Sequence, residues 1–115
     1  MESFIEGAPE KGSSEPFFSS MPFITYILYS PQYDKFYIGH TEDLEYRMFR
    51  HNVESEHSYT SKYRPWEVFT TLEFSTRSKA IAAEKYLKKK PRAFLKRLQD
   101  DAELHQYIIN RFEVG

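Results

Sequence analysis

The chain has 115 residues, with 16 Lys+Arg against 17 Asp+Glu, four His and no Cys, a length that suits one domain with a tail. Without cysteine there is no disulfide scaffold, thiolate zinc site, iron–sulfur cluster or thiol nucleophile, and no apolar run approaches the roughly 18–20 residues of a membrane span. The net charge of −1 argues, at face value, against a nucleic-acid partner, while an aromatic share of 17% argues for a folded chain.

Residues 1–21 read as a flexible leader and 22–115 as the folded domain. The first twenty residues are rich in Glu, Ser, Gly and Pro and show no hydrophobic period. They lack the basic start and apolar run of a secretory signal, so a cytoplasmic location is expected. They carry four of the 17 acids and one of the 16 bases, which leaves the remainder 15 bases against 13 acids.

Phe23 to Tyr29 is aromatic and β-branched on both alternating faces, the pattern of a strand covered on both sides. Ser30 to Asp34 is a turn cluster, and Lys35 to Gly39 is the returning strand of a hairpin. Thr41 is expected to cap a helix running to about Asn52, with Leu44 and Met48 one turn apart. Val53 to Pro65 is polar and loop-like. Trp66 to Phe74 is a third strand, with Trp66, Val68, Leu72 and Phe74 predicted on one face. Ser75 and Thr76 start a helix that runs from Arg77 to about Lys90, where Pro91 interrupts it. Short helices follow over Arg92 to about Gln99 and Ala102 to Phe112. The expectation is an α/β (α+β) fold in the order β-β-α-β-α-α-α.

Four features sit poorly with a purely structural role. Glu84 lies three residues after Ile81 and three before Leu87, on the stripe that also holds Ala80 and Ala83. A carboxylate there needs a cation or hydrogen bonds, so it either binds a metal or pairs with a nearby Lys or Arg. Arg47 and His51 are four apart on one helix face, where they either grip a phosphate or form an incidental solvated pair. Tyr26 and Tyr37 lie on adjacent strands. Each is a packing residue or a proton donor and acceptor whose pKa neighbouring cations can lower. Finally, nine bases and one acid, Glu84, lie between Arg77 and Arg97. Lys85, Lys88, Lys89 and Arg92 belong to that cluster, and Lys62, Tyr63 and Arg64 add two cations flanking an aromatic. Such a surface suits nucleic acid, by phosphate contact and base stacking, or is simply a soluble helix face.

In chain order, Ile24-Thr25-Tyr26, Tyr37-Ile38-Gly39, Asp43-Leu44-Glu45-Tyr46-Arg47-Met48 with His51-Asn52, and Glu84 resemble the GIY-YIG nuclease superfamily. The likeness is to its small stand-alone bacterial members, whose core is similar to the N-terminal incision domain of the bacterial excision-repair nuclease. It covers about residues 22 to 95. Tyr59 to Trp66 also looks like the segment those members carry before their third strand. The first motif departs from the family pattern, lacking its glycine and central isoleucine but keeping Tyr26.

The resemblance implies a three-stranded antiparallel sheet flanked by helices and an endonuclease using one divalent metal, Mg²⁺ or Mn²⁺. Its substrate would be nucleic acid, DNA rather than RNA, in repair or processing of single-stranded or branched forms. Glu84 matches the metal-binding glutamate, Arg47 the catalytic arginine and His51 the histidine one turn later. Tyr26 and Tyr37 match the two signature tyrosines. In this scheme Tyr26 deprotonates or orients water, Arg47 neutralises phosphate charge and His51 orients the tyrosine or a phosphate. Gly39 is expected to let the backbone turn out of its strand. A non-catalytic nucleic-acid-binding module with the same fold is the alternative, and a protein-interaction domain using the last helix is a third.

Overall fold

The computed structural model describes residues 23–54 and 58–114. The expected leader lies outside the described residues. The sheet has three antiparallel strands in the order β2-β1-β3: β1 Phe23–Ser30, β2 Lys35–Thr41 and β3 Glu67–Phe74. Four helices complete the fold: α1 Leu44–Phe49, α2 Arg77–Lys88, α3 Arg92–Asp100 and α4 Ala102–Val114. The order is the expected one. In addition, α1 widens into a π-helical turn over Arg50–Glu54, and a 3₁₀ turn forms at Thr60–Tyr63 within the predicted loop.

β1 is central and buried along nearly its whole length, which explains its apolar pattern on both faces. Register fixes which side chains share a face. Tyr26 pairs with Gly39 and Leu28 with Tyr37, while Thr25 pairs with His40 and Ile27 with Ile38. The first set packs with Leu44, Met48 and Trp66 beneath α1. The second faces Ala80, Ala83, Leu87, Leu98 and Ile108 from α2, α3 and α4. The sheet therefore separates two small cores, each anchored by fully buried large side chains worth about 1.5–3 kcal/mol apiece.

Two expectations are corrected. Trp66, Val68, Leu72 and Phe74 do not share a face. Ile27 pairs with Thr70 but Leu28 with Val68, so Phe69 is an extra residue on β3. That bulge puts Trp66 and Val68 in the α1 core, and Leu72 and Phe74 in the other. Thr41 does not cap α1, because it is still paired with Ile24 as the last residue of β2. Asp43 is the cap, its carboxylate accepting from the Tyr46 N–H at 3.0 Å. Thr76 caps α2 as expected, accepting from the Lys79 N–H at 3.2 Å. Among the described residues, no helix is long and apolar enough to cross a membrane.

Candidate active site

Tyr26 stands at the centre of β1 and is 1% exposed. Its ring lies across the neighbouring strand at Gly39. A Cβ on Gly39 would sit 2.6 Å from the Tyr26 hydroxyl oxygen and 2.8 Å from Cζ. Gly39 has no positive φ and lies inside β2, so it does not turn the chain out of the strand as expected. What it supplies is the space that the tyrosine fills.

The Tyr26 hydroxyl is 2.9 Å from His51 Nε2, and His51 Nδ1 is 3.0 Å from Thr60 Oγ1. Both imidazole nitrogens are thus engaged within the protein, and the ring is buried. Of the two partners expected for His51, the tyrosine or a phosphate, the structure places the tyrosine against it. Burial lowers the His51 pKa to about 4, helped by the charges of Arg47, Arg50 and Arg64, so the ring is neutral at pH 7. Stability should therefore decline as pH falls from about 6.5 towards about 4, because the unfolded histidine takes a proton there and the folded one refuses it.

The phenol of Tyr26 does not follow the sequence expectation of a lowered pKa. Burial raises it, and Tyr37 and Glu84 add to the rise. Arg47 opposes the shift without overcoming it. Tyr26 is consequently a neutral phenol at physiological pH, held against a neutral imidazole.

The segment before β3 braces this pair. Trp66 Nε1 donates to the Thr60 carbonyl at 2.8 Å. The Asn52 amide accepts from the Trp66 N–H at 2.7 Å and donates to its carbonyl at 3.1 Å. Arg64 Nε donates to the His51 carbonyl at 2.6 Å. Arg64 thus braces the turn that carries His51. Thr60 carries no motif that marks it as a partner of His51, since the two are joined only through the fold. Thr60→Val should leave a buried imidazole nitrogen unpaired and lower stability by about 1–3 kcal/mol in urea unfolding, with Thr60→Ser losing less.

Arg47 is exposed on α1, and its charge acts on the Tyr26 phenol. Among the described residues it has no carboxylate partner. It lines a cleft of about 200 Å³ with Tyr37, Arg50, His51, Tyr59 and Thr60. The Tyr37 ring meets His51 edge-on at 4.9 Å between centroids.

Glu84 reaches the site from the other face of the sheet. Its Oε1 is 2.5 Å from His40 Nδ1 and its Oε2 is 2.7 Å from Lys88 Nζ. It sits beside the apolar stripe, only 14% exposed, and it is paired with a lysine. Burial alone would raise the carboxyl's pKa, but the bonds from Lys88 and His40 outweigh it and keep the group ionised. His40 and Gly39 are consecutive on edge strand β2. The two half-sites, Tyr26–His51–Arg47 and Glu84–His40–Lys88, therefore meet around that one edge, and Tyr26 feels the charges of both Arg47 and Glu84. His40 was missed as a contact of Glu84, because only the packing of α2 on β2 brings residues 44 apart together.

The basic cluster is less bare than its sequence. Arg77 pairs with Glu42, Lys79 with Glu113, Lys88 with Glu84, Arg92 with Asp34 and Arg97 with Asp101. Arg92, one of the expected nucleic-acid contacts, thus reaches the β1–β2 turn through Asp34. Lys90 lies over the Tyr86 ring at 4.5 Å. Lys62, Lys85 and Lys89 are exposed and carry no ion pair among the described residues. Tyr63 is partly buried, edge-on to Tyr33 at 5.4 Å and under Lys35.

The model of the GIY-YIG catalytic domain matches residues 22–99. The UPF0213 protein YazA of Bacillus subtilis is 39% identical over 56 residues, which are 49% of this chain and 57% of that protein. The chain thus aligns with little more than half of that relative. No solved structure matches. With the family model spanning both signature tyrosines, Arg47, His51 and Glu84, the chain belongs to the GIY-YIG family of nucleases.

Proposed function

We propose that the chain is a metal-dependent endonuclease that hydrolyses phosphodiester bonds in DNA, acting on single-stranded or branched forms in repair or processing. The observation that carries this reading is the buried Tyr26–His51 pair, whose histidine lines a cleft with an arginine that has no carboxylate partner among the described residues. DNA is favoured over RNA by the likeness to the excision-repair incision domain.

The geometry supports the following chemistry. A water placed against the Tyr26 hydroxyl gives its proton to that oxygen while the phenol passes its own to His51 Nε2. No free tyrosinate is needed, which suits a phenol whose pKa burial has raised. This transfer needs the neutral imidazole to carry its hydrogen on Nδ1, where Thr60 Oγ1 accepts it. The hydroxide attacks phosphorus, and the Arg47 guanidinium neutralises charge building on the non-bridging oxygens.

Glu84 fits Mg²⁺ or Mn²⁺ as an ionised hard-oxygen donor. Among the described residues, no group of three or more His, Cys, Asp and Glu is placed to hold a metal. One carboxylate suits an ion that keeps several waters and takes phosphate oxygens as ligands. When bound, such an ion supplies Lewis-acid polarisation of the phosphate and stabilises the departing 3′ oxygen. His40 fixes one carboxylate oxygen of Glu84, and Lys88, which is half-exposed, has room to release the other.

The test is incubation of the purified chain with end-labelled single-stranded, duplex and flapped DNA in Mg²⁺ and in Mn²⁺. Cleavage leaving 3′-hydroxyl ends is expected on at least the single-stranded or flapped substrate. Salt-sensitive binding indifferent to EDTA, with no product from any substrate, would instead support the non-catalytic binding module.

A further inference from the structure

A second cleft, of about 290 Å³, adjoins the reaction cleft around edge strand β2. Tyr37 and Tyr59 line both, so the two are neighbours. Its walls are apolar: Phe36 and Ile38 come from β2, Leu87 from α2 and Leu95 from α3. Lys88 and Lys90 add two cations to its lining. Glu84 lies one helical turn before Leu87 and Lys88, which places the metal-binding carboxylate beside the junction of the two clefts.

This lining is the wrong chemistry for a duplex. A double helix presents phosphates outward and hides its base faces, so an apolar slot gains nothing from it. An unstacked nucleotide has both parts the slot can use, a flat apolar base and a phosphate. Tyr59 is 48% exposed and stands in an aromatic group with Tyr37, stacked at 6.4 Å, and Tyr63 at 5.0 Å. A side chain so supported forms a base-stacking wall at small entropic cost. Lys90 is held over the Tyr86 and Phe94 rings, at 4.5 and 5.2 Å. Its ammonium is therefore placed rather than free to wander.

We infer that this second cleft is a nucleotide subsite: it takes the unstacked base of a residue next to the cleaved phosphodiester, with Tyr59 as the stacking wall and Lys90 on the adjoining phosphate. The inference rests on the nuclease reading for what happens at the first cleft. It adds that the substrate must be single-stranded, or splayed open, at the point where it crosses β2.

Binding without turnover separates the two ideas. A short fluorescein-labelled oligothymidylate and a blunt duplex are titrated with the full chain in EDTA, followed by anisotropy. The single strand should bind more tightly than the duplex. Tyr59→Ala should weaken single-strand binding about tenfold or more, leaving the duplex and the salt slope unchanged, while Tyr59→Phe retains affinity. Lys90→Gln should reduce the slope of log affinity against log salt by about 0.7 on the single strand. Thermal melts of each variant confirm folding. Equal affinity for single strand and duplex, or a Tyr59→Ala variant that binds both as the parent does, overturns the subsite even if the parent cleaves DNA. Conversely, the predicted binding pattern in a chain that cleaves nothing leaves the subsite standing and removes the nuclease.

Discussion

Arg47→Ala should lower the rate of DNA cleavage about 10²- to 10³-fold while leaving the melting temperature nearly unchanged. Removing one preorganised donor from a developing oxyanion typically costs that much. The fold has little stake in this side chain. Arg47 is exposed, and its helix is held by the buried side chains of Leu44 and Met48. Arg47→Lys should recover only part of the loss, since an ammonium keeps the charge but not the two-pronged contact with phosphate. Single-turnover rates on an end-labelled flapped substrate, read beside circular dichroism melts, separate the chemical effect from a structural one. A variant that cuts at the parent rate would remove Arg47 from the chemistry.

Gly39→Ala should damage both stability and cleavage. The added methyl would lie 2.6 Å from the Tyr26 oxygen and 2.8 Å from Cζ, closer than real contacts allow. The tyrosine has little freedom to move aside, being 1% exposed and bonded to His51 at 2.9 Å. Crowding of this kind costs about 1–3 kcal/mol. The larger effect falls on activity, because the ring that must shift carries the hydroxyl we propose to transfer the proton, and small displacements at a reacting centre are costly. Urea unfolding and cleavage assays should therefore both report a loss, with cleavage reduced at least tenfold. Were the variant to keep parental stability and rate, Tyr26 would not be fixed over Gly39 as described. The glycine that closes the second tripeptide, Tyr37-Ile38-Gly39, thus acquires a physical reason: it is the floor under the tyrosine of the first.

Much of this architecture is legible in the sequence because its signals are local. β1 declares itself by apolar residues on both faces, and α2 by Thr76 at its start and Pro91 beyond its end. What the sequence hides depends on distant partners. Nine bases against one acid look like a bare cationic face until Asp34, Glu42 and Glu113 arrive from other elements. Alternation assigns one face to β3 until Phe69 interrupts it, a bulge visible only in the register with β1. Thr41 and Asp43 are both good caps, and the choice falls to Asp43 because β2 claims Thr41.

The site shows the same division. Tyr26, Tyr37, Arg47, His51 and Glu84 can be chosen from motif spacing alone. Their protonation states cannot, since neutral His51 and the raised phenol of Tyr26 come from burial beneath α1 and the Thr60–Trp66 segment. The pairing of His40 with Glu84 likewise requires the helix to be laid on the strand.

The most direct measurement compares the parent chain with Glu84→Gln on the same labelled substrate in Mg²⁺ and in EDTA. Glutamine keeps the size of the side chain and can still bond to His40, so folding should survive. Metal-dependent cleavage by the parent, abolished by EDTA and reduced at least 100-fold by Glu84→Gln, is the predicted result. Cleavage that persists in EDTA, or a Glu84→Gln variant as fast as the parent, would contradict a metal-dependent site built around this carboxylate.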